Sequence, residues 1–258
     1  MMMEKTRPKI TVLSNTPAYD MPGEYFRYAT ADHFWIQWRF KILQKLLPPQ
    51  FLAGEVLEIG CGNGVAKDFI EQHYGAAVFG CDLSQEGLEF ASPGRGGLYF
   101  YDIYDQRPQW QGKFNAAVLL DVLEHIESPV PFLKVVGHHL TKGGGLVINV
   151  PALPFLYGKY DAVQGHVKRY TPEKIREEFD QAGYDVVSIS YWGSTFIPIV
   201  LLRKMLQAKT PDQKVMEQGF KPSSEFMNRL MKIFMKLELA VWNGKLPGTS
   251  LMAIGRKK

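Results

Sequence analysis

Residues 56–64 read Val-Leu-Glu-Ile-Gly-Cys-Gly-Asn-Gly, and their spacing decides the fold. An apolar run closes on an acid, Glu58, and glycines follow at alternate positions, Gly60, Gly62 and Gly64. Glycine lets a backbone turn through positive φ and approach a ligand with no Cβ in the way. A strand that passes through such a loop into a helix is built to hold a nucleotide-like molecule against bare backbone. A dinucleotide fingerprint, Gly-x-Gly-x-x-Gly, requires its third glycine at 65, where Val65 stands.

Outward from this loop, strands and helices alternate. Strands are predicted at 54–59, Ala76–Cys81, Leu98–Tyr101, Ala116–Leu120, Leu146–Val150 and Val186–Tyr191. Helices are predicted through 67–74, from Ser84, over about 130–140 with a stop at 143–145, and after Thr171. The last is the best marked, with Thr171 as N-cap, Pro172 next, Glu173 in the first turn and Gly183 past the end. Such alternation argues for a doubly wound, mostly parallel sheet with helices on both faces. Before it, residues 1–32 read as mostly irregular, and Phe34, Trp38, Ile42 and Leu46 mark a helix over 33–47 that ends at Pro48-Pro49. Residues 193–248 break the rhythm with a short apolar helix at 196–206, a polar linker at 208–223 and a longer helix at 224–242. On the long helix Arg229, Lys232 and Lys236 form a basic stripe, while Met227, Met231 and Met235 read as packing. A final strand is expected at Ser250–Gly255.

Glu-x-Gly-x-Gly-x-Gly resembles the first motif of class I methyltransferases that use S-adenosylmethionine (SAM). Asp121-Val-Leu-Glu-His125 resembles the fourth motif of the branch of that family concerned with ubiquinone and menaquinone biosynthesis. The resemblance covers about residues 48–192 and the last strand. It implies an α/β fold with a seven-stranded, mostly parallel sheet, a helical N-terminal segment and a helical insert before the last strand. The chain then divides into an N-terminal cap (1–47), a SAM-binding core (48–192), an insert or lid (193–248) and the last strand with a basic tail (249–258). The insert at 193–248 is the departure from short members of the family.

Several residues fit a SAM site. Glu58, Gly60, Cys61, Gly62 and Gly64 form its loop. Asp82, followed by Leu83, ends the second strand and can accept both ribose hydroxyl protons, or cap the next helix. Asp102 can accept from an adenine amino group while the Ile103 N–H meets a ring nitrogen; a plain solvated acid is the alternative. Asp121 ends the fourth strand, which flanks the topological switch point with the first, and would lie near the methionyl end of SAM. Arg39 could pair bidentately with the SAM carboxylate, or be a surface charge beside core aromatics. Two histidines could deprotonate an acceptor, His125 and His166, the latter within Gly165-His-Val-Lys-Arg-Tyr-Thr171; each could instead serve packing and hydrogen bonding.

The 258 residues suit one large domain, and the formal charge of +4 includes no dense basic block, so no nucleic-acid partner is expected. Cys61 and Cys81 suggest small buried residues, and no metal site is expected. The first residues lack an apolar signal core and no window reaches the roughly 18 apolar residues of a membrane span, so the expectation is a cytoplasmic protein. The expected activity is methyl transfer from SAM to a small-molecule or lipid-linked acceptor, at a hydroxyl oxygen. A nicotinamide-dependent oxidoreductase and a non-catalytic SAM-binding module are the rivals. The insert could rest on an anionic membrane surface or pack against the core or the second subunit of a homodimer.

Overall fold

A computed structural model of the chain describes residues 8–18, 29–219 and 224–258. Strands β1 (Ile10–Val12), β2 (Glu55–Ile59), β3 (Ala77–Asp82), β4 (Leu98–Phe100), β5 (Phe114–Leu120), β6 (Leu140–Pro151), β7 (Tyr184–Trp192) and β8 (Ser250–Lys257) form one sheet. Its order is β1-β4-β3-β2-β5-β6-β8-β7, parallel except where β8 runs antiparallel to β6 and β7. The helices are α1 (Phe34–Leu46), α2 (Val65–Tyr74), α3 (Gln85–Phe90), α4 (Pro129–His139), α5 (Lys159–Val163), α6 (Pro172–Ala182), α7 (Ile197–Gln207), α8 (Asp212–Gly219) and α9 (Glu225–Val241).

The strand order reverses between β2 and β5, which pair from Val56↔Ala116 to Ile59↔Leu119. In an open α/β sheet the crevice beyond the carboxyl ends at that reversal is where ligands bind. Here those ends are the glycine loop and Asp121. One apolar core lies on each face of the sheet. On one side Val56, Val78, Val118 and Val147 meet α1 and α2; on the other Leu57, Leu119 and Ile148 meet α4 and α6.

The N-terminal helix belongs to this body through aromatic packing. Trp38 and Trp192 are fully buried with ring centroids 5.8 Å apart, and Phe196 lies 5.3 Å from Trp38. Glu238 on α9 fastens the insert to the same place: its carboxylate accepts from Gly193 N–H at 2.7 Å and Thr195 N–H at 2.9 Å. Met231 and Met235 are buried and Met227 packs against the same core, so the methionine series is packing as read. Both cysteines are buried thiols.

The sequence reading needs four corrections. Eight strands form the sheet, because Ile10-Thr-Val12 adds itself to the β4 edge in register with Leu98–Phe100. Three residues are too few to show a period, and a parallel partner 88 residues away leaves no local mark. Strand β6 starts at Leu140, so the glycines at 143–145 lie within a strand where a helix stop was expected. The polar linker contains α8; its residues 220–223 lie outside the described residues, as do Pro22 and Gly23 of the N-terminal segment. Finally, the loop after β6 holds the short helix α5, for which no expectation existed.

Candidate active site

A cavity of about 530 Å³ opens at the reversal of strand order. That volume lies in the range of small-molecule and cofactor sites. Its walls come from the end of β2 (Glu58) and the loop after it (Gly60, Cys61, Gly62, Asn63), the end of β3 (Asp82, Leu83, Ser84) and the turn after β4 (Asp102, Ile103, Tyr104). Asp121, Val122, His125 and Ile126 after β5, Ile36 and Arg39 of α1, and Gly165 complete it. Of the residues selected from sequence, all but Gly64 and His166 line this cavity. Gly64 caps α2 at φ 73°, and a Cβ there would come within 2.9 Å of the Ala91 Cβ, so it serves close packing one step behind the wall. Among the described residues none of 193–248 lines this cavity, while Ile36 and Arg39 of α1 and Ala29 do.

The loop is shaped by conformation. Gly60, Gly62 and Gly64 all have positive φ, between 50° and 73°. At Gly60 a Cβ would lie 2.5 Å from Val122 Cγ2, so a side chain is excluded by both φ and space. Asp82 Oδ2 accepts from Gly62 N–H at 2.6 Å and Oδ1 from Ser84 N–H at 2.7 Å. Burial raises the Asp82 pKa against these bonds and one from Leu83 N–H, which favour the carboxylate. Asp102 caps the turn after β4, accepting from Tyr104 N–H at 3.0 Å and from the Thr16 hydroxyl at 3.3 Å, with its own N–H donating to Ser14 Oγ. It is therefore a structural cap as well as a wall residue, and the neighbouring Ile103 is nearly buried.

The other end of the cavity is charged. Arg39 Nη1 donates to Asp121 Oδ2 at 2.5 Å. Asp121 Oδ1 accepts from Asn149 Nδ2 at 2.5 Å, and Asn149 Oδ1 accepts from Trp192 Nε1 at 2.9 Å. Asp121 itself has φ 61°, a strained conformation for a non-glycine residue, and its N–H donates to Asn149 O at 2.9 Å. Asn149 thus clamps Asp121 through backbone and side chain. Sequence reasoning passed over Asn149, although a lone amide in the buried run Leu-Val-Ile-Asn-Val was the signal that could have found it.

Two buried polar atoms at this end lack partners, Glu58 Oε2 and Arg39 Nε. Burial pushes the Glu58 carboxyl up to about 8, partly offset by the charges of Arg39 and Lys67. An amino acid moiety meets both needs, its ammonium facing Glu58 and its carboxylate facing Arg39. With Asp82 on the wall as an acceptor that ribose hydroxyls could use, the residues present fit SAM.

His125 on the wall and His166 behind it meet edge to face with ring centroids 4.9 Å apart. Burial and the neighbouring His166 lower the His125 pKa, keeping the imidazole neutral at neutral pH. His166 Nδ1 lies 3.0 Å from Asp161 Oδ1, which also accepts from Arg169 Nε at 2.9 Å. Burial works to raise the Asp161 pKa, and its bond with His166 and the Arg169 charge outweigh it and hold the pKa low. Glu124, absent from the sequence selection, is fully buried with both carboxylate oxygens unpartnered, 4.0 Å from His166 Nε2. Burial and then Asp121 raise its pKa far above the ordinary value. Ligand atoms of Glu124, His125 and His166 lie within 4.8 Å of one another, a spacing that could close on a cation.

Among the described residues no helix is long and apolar enough to cross a membrane. Comparison with known proteins places this geometry in a family. Residues 27–189 match the methyltransferase domain. The ubiquinone biosynthesis O-methyltransferase of Albidiferax ferrireducens is 26% identical over 149 residues, 49% of this chain and 56% of that protein. The enzyme of the same name from Pseudomonas aeruginosa is 33% identical over 103 residues, 37% of this chain and 44% of its own. The chain thus spans about half the length of these curated relatives. A SAM-dependent methyltransferase structure from Mesorhizobium loti superimposes with a TM-score of 0.57 at 16% identity, covering 85% of this chain and 98% of that one. Phosphoethanolamine N-methyltransferase 2 of Haemonchus contortus, in complex with SAM, gives 0.56 at 16% identity over 85% of this chain and 52% of its own. At that identity the structures speak for the fold alone. With the domain match covering well over half its length, the chain belongs to the methyltransferase-domain family and carries the fold of a SAM-dependent methyltransferase.

Proposed function

We propose that the protein transfers the methyl group of SAM to a hydroxyl oxygen of a small or lipid-linked acceptor, with His125 as the base. The observation that carries this reading is an imidazole, its pKa lowered by burial, that opens on the same cavity as the glycine loop and the Arg39–Asp121 pair. SAM supplies an activated methyl on a sulfonium, so the protein's work is alignment, exclusion of water and removal of one proton. Arg39 and Glu58 hold the methionyl end, and Asp82 the ribose. His125 Nδ1 or Nε2 takes the proton that leaves the acceptor hydroxyl as its oxygen gains the methyl. His166, set back from the cavity and tied to Asp161, orients His125. An acceptor oxygen is what the relatives' names describe for those enzymes. The cytoplasm is the proposed location, and the acceptor a metabolite, with no nucleic acid involved.

Calorimetry with SAM and with S-adenosylhomocysteine tests the donor. Micromolar binding of both is expected, and absence of both at high micromolar concentration overturns the reading. Titration with NAD and NADP serves as the control for the oxidoreductase, against which Val65 at the start of α2 already argues. For the acceptor, transfer of labelled methyl from SAM into an organic extract and an aqueous extract of cells identifies the class. Label that resists mild base, so is no carboxyl ester, that mass spectrometry of the product places on an oxygen, and that vanishes in His125→Ala supports an ether oxygen and this base.

A further inference from the structure

Helix α7 is turned inside out. Its polar residues face the protein: Gln207 is 7% exposed, Lys204 Nζ donates to Phe155 O at 2.7 Å, and the Arg203 guanidinium lies 3.9 Å above the Tyr160 ring. Its apolar residues face outward, with Leu202 56%, Met205 75% and Leu206 70% exposed. A helix of a water-soluble domain presents the opposite pattern. Phe155 and Leu246 beside it are exposed by 59% and 62%. Helix α9 buries Met231, Met235 and Glu238 and points Phe226, Ile233, Leu237 and Val241 outward. Both helices pack on the turn Ser194–Phe196. An apolar surface of this extent marks contact with something other than water.

We propose that the outer faces of α7 and α9 dock the protein on an anionic lipid bilayer. Charge selects this partner. Segment 193–248 holds nine basic and four acidic residues, while the remainder of the chain holds 21 and 22. The basic side chains share the apolar face: Arg229 and Lys236 are exposed on α9 among Phe226, Ile233 and Leu237. Lysine within an apolar stripe suits a headgroup layer, where the stem lies in the acyl boundary and the ammonium meets phosphate. The same arrangement opposes a second copy of the chain. A two-fold contact would set like charges against each other, and the centres of protein interfaces are depleted in lysine. Neither helix lines the cavity, so docking is separable from SAM binding.

Co-sedimentation of the full chain with vesicles tests this, using phosphatidylcholine alone and phosphatidylcholine mixed with phosphatidylglycerol. Binding is expected to the anionic vesicles only, weakening as salt rises. Leu202→Asn with Met205→Gln lowers the partition coefficient by at least about tenfold, from lost apolar insertion. Arg229→Gln and Lys236→Gln lower it about fivefold each. All these side chains are exposed, and unchanged SAM affinity by calorimetry shows that each variant is folded. Protein remaining in the supernatant with anionic vesicles at low salt overturns the proposal. So does equal binding by the variants, or a wild-type dimer that Leu202→Asn/Met205→Gln dissociates, which would assign the face to a second copy.

Discussion

Replacing Glu58 by Gln removes a titration while keeping the shape of a side chain that is 2% exposed. Burial raises the Glu58 pKa from 4.5 to about 8. The folded protein without ligand therefore keeps a proton that the unfolded chain has lost. This group's contribution to stability is greatest below the ordinary carboxylate value and declines as pH rises towards 8. The limiting slope is about 1.4 kcal/mol per pH unit, which for a chain of this size corresponds to roughly 3–5 °C of melting temperature per unit. In Glu58→Gln that component is absent, so melting temperature is flatter with pH than in the wild type. Binding adds a second readout. At pH 7 about nine-tenths of the Glu58 carboxyl groups are protonated for a pKa near 8. An ammonium placed against Oε2 returns the group to the carboxylate, and the proton leaves. Calorimetry of SAM binding in buffers of different ionisation enthalpy should show release of close to one proton at pH 7. Release fades towards pH 9 and drops by nearly one proton in Glu58→Gln, whose affinity for SAM also falls. Equal proton counts in the two proteins would refute the assignment of Glu58 to the ammonium, and parallel melting curves would refute its raised pKa.

Asn149→Leu leaves the Trp192 indole N–H and Asp121 Oδ1 without partners; it should cost about 1–3 kcal/mol in denaturant unfolding and weaken SAM binding as Asp121 shifts. Gly60→Ala forces a Cβ against Val122 at positive φ; a loss of about 1–3 kcal/mol from backbone strain and contact is expected, with SAM binding too weak for calorimetry. His125 has a lowered pKa, so it gains its proton only below the ordinary histidine value. The acidic limb of the kcat/KM profile for methyl transfer should therefore lie below pH 6.5 and disappear with His125→Ala, whereas a limb at or above that value speaks against His125 as the base. Asp161→Asn removes the negative charge from the acceptor shared by His166 and Arg169. It should lower kcat more than SAM affinity, since the cofactor wall is untouched; an equal loss in both would deny His166 an orienting role.

The local signals of this chain were legible because local chemistry produces them. Alternating apolar runs, the Thr171–Gly183 caps and the spacing of Gly60, Gly62 and Gly64 state the α/β order, and the same spacing sets aside a dinucleotide loop. Glu58, Asp82, Asp102 and Asp121 lie at or just past the carboxyl ends of strands, so knowing that the sheet is parallel already puts them on one edge. The histidines of two separate loops could be picked out as candidates, though not ranked.

Tertiary packing decided what depends on distant partners. The edge strand Ile10–Val12 exists through pairing with β4, and Asn149 matters through what lies across the sheet from it. Burial, which no residue carries in its own sequence, turns Glu58 into a weak acid and keeps His125 neutral. Arg39 became a cavity residue because Trp38, Trp192 and Phe196 anchor α1 over the crevice. Glu238 fastens the 193–248 insert to the turn after β7 and leaves an apolar, basic face outward. By itself, the sequence determined the family and which residues gather at the strand ends, because a glycine loop and the acids around it are short local motifs. Which groups meet there, with what charge and facing what surroundings, was decided by the fold, because contacts and desolvation arise only between segments far apart in the chain.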